Sequence, residues 1–358
     1  MKNLQLLYLS FLLVFLCSCH KEQPKPAPIT KPVETTPPVV TDPPEDNADY
    51  HKDGDVAQLY APVENAVNIV VLGDGFTHED LKKGGNFDTK VKQTIDYLFT
   101  VAPFSQYKQN FNVYMVYAES EKRGATHGYN PSNTNSKFNA YFDSTTERLL
   151  IAGNSAACYT YAQKALPQEK VNLMVLLVND DTYGGSGGGI AVVSTNMLSK
   201  YIMVHEIGHT FAGLGDEYVD QAIANNYSES MVPYMANIDN TNDPIGIKWA
   251  HYYTRPLYVR VGAFEGAYYR LKGFYRPEQS SVMLELNQTN YNAPSREAIA
   301  RMICSIRNVP FDLEAFLKSD ETSVTSVSNR INTALKLPKN DFINMQKRIL
   351  ELQKIRKQ

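Results

Sequence analysis

The stretch YIMVHEIGHTFAGLGDEY, residues 201–218, sets His205 and His209 four positions apart with Glu206 between them. On a helix that spacing stacks two imidazoles one turn apart on one face, where both can reach a single metal ion. Glu206 falls about 100° around the same helix, because a helix has about 3.6 residues per turn. Its carboxylate is then free to act as a base toward water instead of ligating. The neighbours Ile202, Met203, Val204, Ile207 and Phe211 are uncharged and apolar. A helix at the floor of a cleft needs such flanks, whereas a solvated amphipathic helix carries charge on one side.

A hydrolytic zinc site takes three protein ligands and keeps a fourth position open. Asp216 is the leading third candidate, since Gly213 and Gly215 allow the helix to end and the chain to turn back. Glu217 and Glu229 are the alternatives, Glu229 by way of a second helix. The competing role for Asp216 and Glu217 is to cap the next helix. Tyr218 and Tyr291 are candidate donors to a developing oxyanion. The chemistry predicted is zinc-dependent hydrolysis of a peptide bond, with Glu206 taking a proton from water and returning it to the leaving amine. Two other readings of the same residues are a surface binding lipoprotein with a non-catalytic zinc, for which Glu206 has no use, and a hydrolase of non-peptide amides.

These residues need a scaffold, and the chain alternates strand-like and helix-like segments, which predicts an α/β sheet. Apolar runs ending in polar or glycine residues predict strands at NIVVLGDGF from Val67, at Phe111–Ser120, at Val171–Asp180 and at Gly188–Thr195. Helical spacing covers Glu79 to Leu98, interrupted near its start by Gly84 and Gly85, and a second helix is expected around Thr146 to Ala165. The strand at Gly188–Thr195 leads into the HEIGH helix and is expected to offer an edge to which an extended substrate adds. GGSGGG (184–189) lacks a following Lys-Ser/Thr and enters a strand, so it reads as a surface turn or cleft rim, not a phosphate loop. Tyr258–Val261 and Tyr268–Leu271 alternate as the arms of a hairpin.

HEIGHTFAGLGDEY, together with GDGFT at Gly73–Thr77, SSVM at Ser280–Met283 and NAPSREAI at Asn292–Ile299, resembles the catalytic domain of the IgA peptidase family of zinc metallopeptidases. The likeness runs from Val67 to Ile306. It implies a metzincin-like zincin, with a mixed twisted sheet, an active-site helix ending at glycine, a third ligand after it and a smaller, irregular C-terminal subdomain. It also implies a methionine turn beneath the metal, which Met283 matches. The spacing departs from the metzincin HExxHxxGxxH, because glycine and ligand are each displaced by one, to Gly213 and Asp216. The family's name does not make immunoglobulin the substrate.

The amino terminus MKNLQLLYLSFLLVFLCSC carries Lys2 and then a short apolar run, the pattern of an export signal. Its end resembles a bacterial lipobox, in which Cys19 becomes lipidated and N-terminal. Eight of the 19 prolines fall between Pro24 and Pro44, as in an extended linker. The expected organisation is a lipoprotein signal peptide at 1–18, a Pro-rich linker at 19–50, a catalytic domain at 51–310 and a C-terminal helical extension at 311–358. The last carries Phe342, Met345, Ile349 and Leu352 on one stripe. An exported bacterial lipoprotein at the outer membrane or cell surface follows, with a protein or peptide substrate and a membrane contact through Cys19. The net charge of -3 argues against nucleic acid, which needs clustered Lys and Arg. Cys158 and Cys304 lie in the folded region, where export would permit a disulfide.

Overall fold

The computed structural model describes residues 49–128, 136–144, 146, 148–227 and 233–330. The signal segment, Cys19, the linker before residue 49, Glu229 and the stripe at 342–352 lie outside them.

In chain order the elements begin with β1 (Val56–Gln58), β2 (Val67–Asp74), α1 (Asn86–Leu98) and β3 (Phe111–Val116). The short strands β4 (Thr126–His127), β5 (Tyr141–Phe142) and β6 (Leu150–Ile151) precede α2 (Ser155–Ala162). Then come β7 (Leu173–Val178), β8 (Gly185–Ser186), β9 (Ala191–Ser194), α3 (Ser199–Ala212) and α4 (Gln221–Ala224). The hairpin β10 (Phe264–Ala267) and β11 (Arg270–Arg276) leads to α5 (Ala293–Ile306) and α6 (Leu313–Arg330).

The main sheet has the order β1-β3-β2-β7-β9-β8. Its four central strands run parallel, and β1 and β8 close the two ends antiparallel. Continuous apolar runs such as LMVLLV in β7 suit strands covered on both faces. Because side chains alternate, Ile69, Val71, Val175 and Val193 face a core shared with α1, α3 and α5. Val70, Leu72, Leu176 and Val192 face a second core with Phe138, Leu150 and Cys158 on the other side. The sheet is thus sandwiched, and α3 packs on it directly after β9.

Several expectations change. The strand at Gly188–Thr195 is not an edge, because β9 is paired on one side with β7 and on the other with β8. Only Ser155–Ala162 of the 146–165 stretch is helical, since Leu150–Ile151 pairs with β5. Glu79 lies in a separate 3-10 turn, His78–Leu81, in which Asp80 accepts from the Thr77 amide, and α1 starts after the glycines. The hairpin arms are Phe264–Ala267 and Arg270–Arg276, while Pro256–Tyr258 forms a 3-10 turn. Cys158 and Cys304 are both free thiols. The start of α6 is tied to the body, with Asp320 buried in an ion pair to Arg296 at 2.7 Å and accepting from Tyr258 at 3.0 Å.

Candidate metal centre

Helix α3 carries His205, Glu206 and His209, and it ends at Gly213, whose φ of 59° turns the chain back across the helix end. The reversal brings the Leu214 carbonyl to His209 Nδ1 at 2.7 Å. On the other side Val282, next to Met283, offers its carbonyl to His205 Nδ1 at 2.8 Å. With each Nδ1–H donated to a carbonyl, both Nε2 lone pairs turn inward. His205 Nε2 and His209 Nε2 stand 2.8 Å apart, and Asp216 Oδ1 lies 3.1 Å and 3.2 Å from them.

Three electron-rich atoms therefore face one point, all buried in or at the edge of the protein. Ligand bonds of about 2.0 to 2.2 Å in a tetrahedron put neighbouring donor atoms a little over 3 Å apart, so the set fits zinc. Burial opposes charge on His209, but Asp216 beside it overrides this and pushes the imidazole up to about 9. Burial alone would raise Asp216, yet His209 and His205 hold it well below the usual carboxylate range.

Glu206 is buried beside this group, and burial raises its pKa despite the opposing pull of His205 and His209. A carboxylate so raised accepts a proton and holds it readily, as a base that later acts as acid must. Gly187 leaves room for it, since a Cβ there would stand 2.1 Å from Glu206 Oε2.

Of the two alternatives for the third ligand, Glu229 lies outside the described residues and Glu217 is engaged elsewhere. The Glu217 carboxylate accepts from Asn237 Nδ2 at 2.7 Å, Asn292 Nδ2 at 2.5 Å and Ser281 Oγ at 2.5 Å. It belongs to a buried polar cluster that ties the Asp216 segment to the turn before Met283, and the Glu217 amide donates to the Met283 carbonyl at 2.9 Å. Helix capping falls to Asp220, which accepts from the amides of Ala222 and Ile223 at the start of α4.

Of the two expected oxyanion donors, Tyr291 is fully buried and its hydroxyl donates to the Val204 carbonyl, so its proton is committed to the helix backbone. Tyr218 packs edge-on against Tyr269 with ring centroids 5.3 Å apart, and burial with the charge of Asp216 drives its phenol well above the usual range. Neither lines the 290 Å³ cavity over the metal group, whereas Tyr268 and Tyr269 do.

Tyr269 had no signal in the sequence. Its hydroxyl donates to Asp216 Oδ2, leaving Oδ1 to face the imidazoles. Both Tyr268 and Tyr269 adopt positive φ, 48° and 67°, at the tip of the β10–β11 hairpin. Non-glycine residues there cost on the order of 1 kcal/mol each. The tip is held in place because the Tyr268 amide donates to Asp216 O at 2.9 Å and the Tyr269 amide to Tyr218 O at 2.9 Å. Tyr269→Phe is expected to weaken zinc binding about 10- to 100-fold, the usual effect of removing a ligand's outer hydrogen-bond partner. Competition with a chelator of known affinity measures it, and unchanged affinity would deny Tyr269 this role.

An α/β body that presents a His–His–Asp group at a cleft, with a buried glutamate beside it, has the architecture of a metal-dependent hydrolase. The model of the IgA peptidase M64 family matches residues 58–259 and 251–303, which include every side chain of the metal group. The chain belongs to that family of metallopeptidases. Among curated proteins, none matches it.

Proposed function

We propose that the protein is a zinc-dependent endopeptidase tethered to the bacterial envelope through lipid on Cys19. The observation that carries the catalytic reading is the convergence of His205 Nε2, His209 Nε2 and Asp216 Oδ1 beside the buried Glu206, at one cavity. His205, His209 and Asp216 would hold a zinc ion through these atoms, and the metal would supply a Lewis acid that lowers the pKa of a water and polarises the scissile carbonyl. Glu206 takes the proton from that water and passes it to the departing amine. Gly187 and Gly188 continue from the edge strand β8 along the cavity, and their backbone supports binding of an extended peptide. A purely structural metal would give no reason to bury a glutamate at its side.

Incubating the purified, zinc-loaded protein with a diverse peptide library, and locating cleavage by mass spectrometry, tests the reading. Internal cleavage abolished by zinc removal is expected, and intact peptides would sink it. The tether is tested separately. Cys19→Ala is expected to move the protein from the membrane fraction to the soluble one, because the linker offers no second apolar anchor. Retention in the membrane fraction would require another attachment.

A further inference from the structure

Tyr234, Met235 and Tyr268 line the same cavity as Gly187 and Gly188. Tyr234 is 81% exposed, so its ring adds little to the stability of the fold. The backbone that carries it is nevertheless held on two sides. Lys248 Nζ donates to three carbonyls of the loop, those of Pro233 at 2.5 Å, Met235 at 2.9 Å and Ile238 at 2.5 Å. From inside, Asn237 exchanges two hydrogen bonds with Gly215, each 2.8 Å, and donates to Glu217. The same loop is thereby fastened to the segment that bears Asp216. Charge-assisted donation to three carbonyls and a paired amide clasp fix main-chain geometry that an exposed ring does not itself require.

The cavity's chemistry restricts what the ring can hold. Among the described residues lining it, none is Lys or Arg, and the acidic ones are Asp216 of the metal group and Glu206 beside it. A charged substrate side chain would find no counter-charge there apart from the catalytic groups, whereas an apolar or aromatic one would find three tyrosines, Leu214 and Met235. At 290 Å³ the space lies at the small end of ligand clefts, about 300 to 1,000 Å³, which suits one or two side chains of an extended segment.

We propose that Tyr234 and Tyr268 form a clamp that selects an uncharged aromatic or large aliphatic residue close to the scissile bond, with Lys248 positioning the Tyr234 loop. The inference rests on the peptidase reading and adds to it the class of substrate. Tyr234 is the specificity-determining residue. Lys248 does not line this cavity, so its effect must pass through the loop.

Cleavage-site profiling of a peptide library with wild-type protein, Tyr234→Ala, Tyr234→Phe and Lys248→Met tests the clamp. Wild-type sites are expected to share an aromatic or large aliphatic residue at one fixed position. Tyr234→Ala should erase that enrichment and reduce kcat/KM on a peptide bearing it about tenfold, about 1.4 kcal/mol. The loss should appear mainly in KM with zinc content retained, and should be smaller on a peptide that carries alanine at that position. Tyr234→Phe should keep the profile, because the ring face does the work. Lys248→Met should flatten it as Tyr234→Ala does. The exposed Tyr234 variants carry the test even if Lys248→Met does not fold. A Tyr234→Ala profile identical to wild type overturns the clamp while leaving the peptidase reading standing. No cleavage by wild type removes both. Enrichment confined to glycan-bearing peptides overturns the side-chain assignment in favour of a platform for a sugar ring.

Discussion

Glu206→Gln is expected to leave zinc content and thermal stability close to wild type while lowering kcat about 10²- to 10⁴-fold, the span general acid–base catalysis contributes. The substitution keeps the shape of the side chain and all three atoms of the metal group. It removes the carboxylate that the proposed mechanism uses to accept a proton from water. The space is closely matched to this side chain, with Gly187 leaving only the room its carboxylate occupies. Single-turnover assays on samples of measured zinc content read the effect. Full turnover in the variant would mean that a different group supplies the base.

Asp216→Ala should remove zinc and activity together. Two imidazoles remain, and the loss of affinity should exceed the about 10- to 100-fold expected from removing an outer partner such as Tyr269. Glu217→Ala makes the contrast. It leaves the side-chain donors of Asn237, Asn292 and Ser281 without their shared buried acceptor, and each such group costs about 1 to 3 kcal/mol. Its signature is therefore a lowered Tm, with zinc retained by the folded fraction. Metal analysis on folded samples of both variants decides between them. Asp216 is not the third ligand if its alanine variant binds zinc as wild type does and the Glu217 variant does not.

The i, i+4 imidazoles, the glutamate between them and the apolar flanks of α3 could be read directly, because helical periodicity is a local property and the motif lies within one element. The buried strands were equally plain, since a parallel strand covered on both faces must be apolar at almost every position. Element ends were less so. Leu150–Ile151 pairs as a strand within a stretch of helical composition, because its partner at Tyr141–Phe142 is supplied by the fold.

The choice between Asp216 and Glu217 shows what local sequence leaves open. Both are acidic, adjacent and follow the same glycines, so composition and spacing treat them almost alike. Successive side chains of an extended segment point to opposite sides. One therefore meets the imidazoles, and the other meets Ser281, Asn237 and Asn292, brought from 20 to 75 positions away. Tyr269 reaches Asp216 across 53 positions through a hairpin tip with positive φ at two tyrosines, held by hydrogen bonds to the segment it braces. Tyr291 runs the other way, with a sequence position compatible with the cleft and a hydroxyl that the packing of α5 on α3 commits to Val204. Residue type and spacing along one helix determined which groups can do chemistry. Which of them share a cavity was decided by tertiary contacts, because the distances that matter are set by how β8, the Asp216 segment, the Met283 turn and the β10–β11 tip meet around α3.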